Sequence, residues 1–186
     1  MPISSFSTRE TTLSGSDLQP TTRSPAGEEA AVGRHYLYPG TLFAHRSPHV
    51  VTTVLGSCVS VCLWDAAVRV GGINHYLLPL WNGDGLPTPK YGNIAISKLI
   101  NKVQDLGAGS RLVAKLFGGA SMWEKTDGLL AIGQRNIELA IDLLEQHRIP
   151  VVSSDLGGPV GRKIIFNTGD GTVLLKRQRA LGSDTG

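Results

Sequence analysis

Between His49 and Pro79 the chain runs "HVVTTVLG", "VSVCLW" and "GGINHYLLP", three short segments rich in β-branched residues and bounded by Gly or Asp. Segments of that length and composition read as strands. The last two are separated by too few residues for a crossover helix, so they read as an antiparallel hairpin. Further on the period changes. "YGNIAISKLINKVQDLGA" places Ile96, Leu99, Ile100 and Val103 on one helical face, with Asn93 as N-cap and Gly107 as the stop. "RLVAKLFGG" reads as a strand, "IGQRNIELAIDLLEQHR" as a second helix through Ile137, Ala140, Ile141 and Leu144, and "IPVVSSDLGG" as strand again. "RKIIFNTGDGTVLLKR" reads as a hairpin whose Asp170-Gly171 supplies the positive φ of its turn. Hairpins interleaved with two helices imply an α+β layered domain without internal repeats.

Residues 1–33 lack either hydrophobic period and are rich in Ser, Thr, Pro, Gly and charge, which reads as a disordered leader. The domain is then expected over 34–180, with 181–186 as a flexible tail. At 186 residues and 41% hydrophobic content the chain can bury one real core. Its 18 basic and 15 acidic residues leave an excess of +3, too small to imply nucleic acid; the basic "LLKRQRALG" reads as a solvated strand end. No run of about 18 apolar residues suggests membrane insertion, and no secretory signal opens the chain. A cytoplasmic protein is expected.

Cys58 and Cys62 are the only cysteines. On one extended strand they would lie about 13 Å apart at ~3.3 Å per residue, too far to bridge, so both should be thiols. If the hairpin loop is Ala66-Ala67, or the four residues Asp65 to Val68, facing residues have numbers adding to 133, and Cys58 lies opposite His75. The four-residue loop is preferred, with Asp65 opening a type I turn. Odd loop lengths would send His75 to the other face. An imidazole beside a thiol accepts its proton and stabilises the thiolate, which predicts a depressed pKa and early alkylation at Cys58. Gly56 lets the chain bend, so that the Ser57 and Cys58 amides could face a developing oxyanion. The competing reading is a buried thiol beside a core histidine. Cys62, mid-strand with no glycine turn, reads as packing.

The remaining features read as structural. The paired glycines of "FGGASMW" and "DLGGPVGRK" do not match a phosphate loop. His35, His45, His49 and His147 have no spacing that groups them with Cys58 around a metal. Asp155 could orient a histidine or cap a loop.

The segments "LGSCVSVCLWD", "GGINHYLLP", "KYGNIAISKLI", "KLFGGASMW", "IGQRNIELAIDLL" and "IPVVSSDLGGPVGRKIIFNTGDGTVLLKR", in this order from about residue 35 to 178, closely resemble the chemoreceptor glutamine deamidases of the CheD family. The resemblance implies a layered β-sandwich flanked by helices and shared with bacterial toxin cysteine deamidases. It implies conversion of selected glutamines of methyl-accepting chemotaxis receptors to glutamate, as part of chemotaxis adaptation. The family's Cys-His-Thr triad falls by motif on Cys58, His75 and Thr52, with Thr53 as the neighbour of the last. Backbone amides of Ser57 and Cys58 would hold the oxyanion, and no metal or organic cofactor is implied. In some members the deamidase also binds the chemotaxis phosphatase CheC. Two rival classes are a non-catalytic adaptor on the same fold and a cysteine peptidase or general amidase.

Overall fold

The computed structural model describes residues 32–121 and 127–178. Residues 1–31, 122–126 and 179–186 lie outside the described residues, and with them most of the expected leader and all of the expected tail 181–186. The first strand, β1 (Gly33–Tyr36), begins at the last residue expected in the leader.

Among the described residues, nine strands form two mixed sheets. β1, β3 (His49–Leu55), β8 (Arg162–Asn167) and β9 (Val173–Arg177) form one, in the order β1-β3-β8-β9. The other runs β2-β5-β4-β6-β7, from β2 (Thr41–His45), β5 (Val70–His75), β4 (Val59–Asp65), β6 (Leu112–Gly118) and β7 (Val151–Leu156). Pairing is antiparallel except β1 with β3 and β6 with β7. The expected strands and the closing hairpin are present, and Gly171 takes φ +75° in the turn. β1 and β2 had no counterpart in the sequence reading. Helix α1 (Gly92–Asp105) ends as expected at Gly107, φ +104°. Its N-cap, however, is the extended Tyr91; Asn93 lies inside the first turn, where its Oδ1 accepts from the Trp81 amide. Helix α2 (Asp127–Gln146) starts a turn earlier than its apolar period suggested.

Alternation along the five-stranded sheet builds two cores. Val59, Val61, Leu63, Ala114 and Leu116 meet Ile96, Leu99, Ile100 and Val103 of α1 and Ile137, Ala140 and Leu144 of α2. The other face presents Cys62, Ile73 and Phe117 to Val51, Leu55, Ile164 and Phe166 of the four-stranded sheet. The layers are therefore sheet, sheet, helices. Both helices pack on the five-stranded sheet, so they flank one side of the sandwich rather than both.

The β4–β5 hairpin fixes the site's register. Asp65 pairs with Val70, leaving Ala66–Arg69 as the loop, and partner numbers add to 135 rather than the expected 133. Asp65 closes the strand instead of opening the loop. Its carboxylate accepts from the Ala67 and Gly109 amides, and Arg69 takes φ +54° to finish the turn. Because the offset is two residues, every side chain keeps its face.

Gly72 of β5 sets how closely α1 approaches. A Cβ there would lie 2.8–2.9 Å from Leu99 Cδ1, Val103 Cγ1 and Ala44 Cβ. These are short, packed groups with little room to yield. Gly72→Ala should therefore destabilise the fold by about 1–3 kcal/mol. Urea unfolding checks this: the midpoint should fall at unchanged slope, whereas an unchanged midpoint would mean that α1 can shift at no cost.

Candidate active site

Cys58 does not lie in either sheet. Leu55 ends β3 in the four-stranded sheet and Val59 opens β4 in the five-stranded one, so Gly56-Ser57-Cys58 is the corner where the chain crosses between them. Corner residues have no ladder partners, and their polar groups must be satisfied otherwise. All three carbonyls are held from one side. The Gly56 carbonyl accepts from the Ala120 amide and that of Cys58 from the Gly119 amide, each at 2.8 Å. That of Ser57 accepts from Asn136 Nδ2 at 3.2 Å. In a planar trans peptide the N–H points opposite to the preceding carbonyl. Fixing the Gly56 and Ser57 carbonyls thus turns the Ser57 and Cys58 amides the other way, and no described group outside Cys58 accepts a hydrogen bond from either. The glycines of "FGGASMW" earn their place in this arrangement. Gly118 has φ +111°, and a Cβ there would meet the Cys58 carbonyl oxygen at 2.1 Å. Gly119 has φ +69°.

His75 ends β5 on the face that looks into the inter-sheet core. With the register at 135, its direct partner is Ser60, and Cys58 stands diagonal to it on the same face. Diagonal neighbours lie about 7–8 Å apart, within reach of long side chains. The Thr53 hydroxyl comes from the opposite sheet. Its Oγ1 lies 2.8 Å from the Leu37 carbonyl oxygen and 2.8 Å from His75 Nδ1. A carbonyl can only accept, so the single hydroxyl proton goes to Leu37 and Thr53 receives Nδ1–H from the imidazole. That fixes the tautomer: Nε2 carries the lone pair. Nε2 is buried and has no partner among the described residues.

The threonine hydrogen-bonded to His75 is Thr53, the neighbour of the expected Thr52. Val51, Thr53 and Leu55 of β3 face the inter-sheet core, and Thr53 is fully buried. By strand alternation Thr52 and the exposed Val54 face outward. Thr52 is held by its carbonyl, which accepts from the Leu37 amide, and has no hydrogen bond to His75.

Burial sets the protonation states. It pushes the Cys58 thiol above its ordinary value, against the opposing pull of its own backbone amide. It pushes His75 down to about 4. At neutral pH the resting pair is therefore thiol and neutral imidazole, and the depressed Cys58 pKa expected from the sequence does not hold in the free protein. Cys58 nevertheless differs from Cys62, which is 1% exposed and driven further up by complete burial, whereas Cys58 is half-buried at the rim. Both cysteines are free thiols.

Other candidates lie elsewhere. Asp155 orients no histidine: its carboxylate bonds Arg162 Nε at 2.5 Å and Arg177 Nη2 at 2.6 Å, joining β7 to β8 and β9. Although burial opposes its charge, the two guanidiniums hold its carboxyl below the usual carboxylate range. His35 and His49 gather about Phe43, and His45 packs on His49 at 4.7 Å between ring centroids. Among the described residues, no group of three or more His, Cys, Asp or Glu is placed to hold a metal ion. Among the described residues, no helix is long and apolar enough to cross a membrane.

Sequence reasoning missed Asn136, a fully buried α2 residue whose Nδ2 reaches both the Ser57 carbonyl at 3.2 Å and the Leu77 carbonyl at 3.0 Å. The only available signal was a polar residue beside Ile137 on the apolar face of the helix.

Comparison with known proteins gives a coherent result. Residues 77–177, more than half of the chain, match the family model described as CheD chemotactic sensory transduction. That match begins just after His75. A probable chemoreceptor glutamine deamidase CheD of Trichlorobacter lovleyi is 53% identical over 147 residues, covering 78% of this chain and 91% of the relative. A protein of the same description from Sulfurimonas denitrificans is 51% identical over 146 residues, covering 77% and 93%. One from Anaeromyxobacter dehalogenans is 43% identical over 143 residues, covering 76% and 83%. With likeness of this extent carried over most of both partners' length, the chain belongs to the CheD family.

Proposed function

We propose that this protein is a chemoreceptor glutamine deamidase that works through Cys58, His75 and Thr53. The observation that carries the reading is the Leu37–Thr53–His75 relay, which leaves a neutral imidazole with its lone pair on Nε2 on the face that Cys58 shares. The family's named relatives supply the reaction class, and this reading assigns the oxyanion to the Ser57 and Cys58 amides, which no described group outside Cys58 engages.

In this mechanism His75 Nε2 takes the Cys58 proton as sulfur attacks the side-chain amide carbon of a receptor glutamine. The carbonyl π pair moves onto oxygen, which the Ser57 and Cys58 amides receive. As the tetrahedral intermediate collapses, the C–N bond breaks and Nε2 returns the proton to nitrogen, releasing ammonia. A water molecule, deprotonated by the same Nε2, then attacks the thioester. The C–S bond breaks, glutamate leaves and the thiol is restored. Thr53 keeps the imidazole in the productive tautomer throughout. A glutamine on a folded receptor helix offers only its side chain, because its backbone is hydrogen-bonded within the helix. This favours deamidation over peptide cleavage.

The direct test incubates a receptor cytoplasmic fragment with the protein and follows ammonia release and the ~1 Da gain of amide becoming acid. Cys58→Ala should abolish turnover and Cys62→Ala should retain most of it; a dead Cys62 variant would reassign the nucleophile. Iodoacetamide should modify Cys58 well before Cys62, by virtue of access rather than a lowered pKa.

Thr53→Val should slow kcat about tenfold or more, because the imidazole loses the acceptor that fixes its tautomer. Thr52→Ala, altering an outward hydroxyl, should change it by less than about twofold. The reverse ranking would return the third role to Thr52.

The pH profile follows from His75. The base works when neutral, and burial holds its folded-state pKa near 4. Going down from neutral pH, kcat/KM should therefore persist through the range where an ordinary histidine protonates, near 6.5, and fall only as pH approaches 4. Near-ultraviolet circular dichroism recorded alongside would separate this from acid unfolding. An acid limb centred at 6.5 or above in folded protein would remove His75 from the base role.

A further inference from the structure

The ladder between β4 and β5 stops short of the site. Its last main-chain rung is the reciprocal pair Val59–Tyr76, with N···O distances of 3.2 and 3.1 Å. The next facing positions are Cys58 and Leu77, which turn to other partners: the Cys58 carbonyl accepts from the Gly119 amide and the Leu77 amide donates to the Lys90 carbonyl. Asn136 stands at that end. Its single Nδ2 donates to the Ser57 carbonyl on the nucleophile side and to the Leu77 carbonyl on the base side. An NH2 group has two protons, so both bonds can be made together. The Asn136 main-chain carbonyl separately accepts from the Tyr76 hydroxyl at 2.5 Å. The Oδ1 of the amide is buried with no partner among the described residues. A buried unsatisfied acceptor costs about 1–3 kcal/mol; an apolar side chain of the same shape would remove Oδ1 but strand the Ser57 and Leu77 carbonyls. Packing alone does not call for asparagine here.

We infer that Asn136 is a positioning residue for catalysis: its side-chain amide acts as a rung between the Cys58 corner and the strand after His75, setting nucleophile against base. Two main-chain carbonyls facing each other would repel, and the intervening NH2 joins them at a spacing wider than a ladder rung. The strands splay by that amount, and the inter-sheet face bearing Cys58 and His75 opens at its end. The same bond turns the Ser57 carbonyl toward α2, and hence the Cys58 amide toward the other side. Misplacing reacting groups by about 1 Å can cost ~100-fold in rate, so the effect belongs in kcat rather than in substrate affinity.

The inference rests on the deamidase reading for its activity arm, and the experiment separates the two. Three full-length variants are compared with the wild type: Asn136→Ala, Asn136→Asp and Tyr76→Phe. On a receptor fragment, N136A should lose ~10- to 100-fold in kcat with KM within about twofold. N136D keeps the shape but points a carboxylate at two carbonyls, and burial with those neighbours raises its pKa. Protonation restores one donor, so its kcat relative to wild type should rise as pH is lowered from 8 to 5.5. Y76F removes only the bond to the Asn136 main chain and should keep kcat within about twofold. A second readout needs no substrate: the ratio of Cys58 iodoacetamide rates, N136D to wild type, should vary over the same pH window. If the wild type deamidates no receptor glutamine, the functional reading fails, and the alkylation ratio still decides the role of Asn136. If N136A does not fold, N136D decides. A flat N136D ratio across pH, an N136A kcat within twofold of wild type, or an equal kcat loss in Y76F would each overturn the inference.

Discussion

The site depends on how three consecutive carbonyls are held. Gly56, Ser57 and Cys58 leave one sheet and enter another, and a chain at such a corner would ordinarily turn its polar groups to water. Here Ala120, Asn136 and Gly119 take the carbonyls from one side. The rigidity of the peptide plane then decides where the intervening amides point. Gly119 and Ala120, where the chain leaves β6, are therefore part of the candidate site's framework, although neither side chain is needed for that role. They act through main-chain donors, and Gly118 is required because any side chain would collide with the oxygen being held.

The second dependence runs across the sandwich. His75 belongs to the five-stranded sheet, while Thr53 and the Leu37 carbonyl belong to the four-stranded sheet or its margin. The imidazole can be oriented only if the two sheets pack at the correct separation. The inter-sheet core of Val51, Leu55, Ile73, Ile164 and Phe166 is thus also the gauge that brings Thr53 to Nδ1. Cavity-forming changes in that core act on the tautomer as well as on stability, a coupling absent from the helix-facing core.

Much of this was legible in the sequence, and the exceptions have physical causes. β4 and β5 announced themselves because both faces of the five-stranded sheet are covered there, so that their residues are buried almost throughout. β1 and β2 are short edge strands, one of them the polar "GRHY", and carry no period to detect. The pairing of Cys58 with His75 on one face was right although the register was off by two, since the side-chain period is two. Thr52 and Thr53 could not be separated by inspection of "VVTTVL": either phase puts one Thr and two aliphatic residues inside. Only the packing of Leu55 against the other sheet selects Thr53. Asn136 was invisible because its value lies in meeting two carbonyls 79 and 59 positions away.

The burial of His75 carries a consequence for the direction of proton flow. A dry imidazole with a pKa near 4 is a reluctant base, and the protonated form it becomes is correspondingly a strong acid. Departure of ammonia from a tetrahedral carbon is the step that most needs an acid, since an unprotonated amide nitrogen is a poor leaving group. In the proposed mechanism, the core that makes thiol deprotonation harder at the outset thus returns the same free energy when the C–N bond breaks, on the order of 1.4 kcal/mol for each unit by which burial lowers the pKa. An imidazolium held between two sheets would there be a short-lived species, quick to hand its proton to the departing nitrogen.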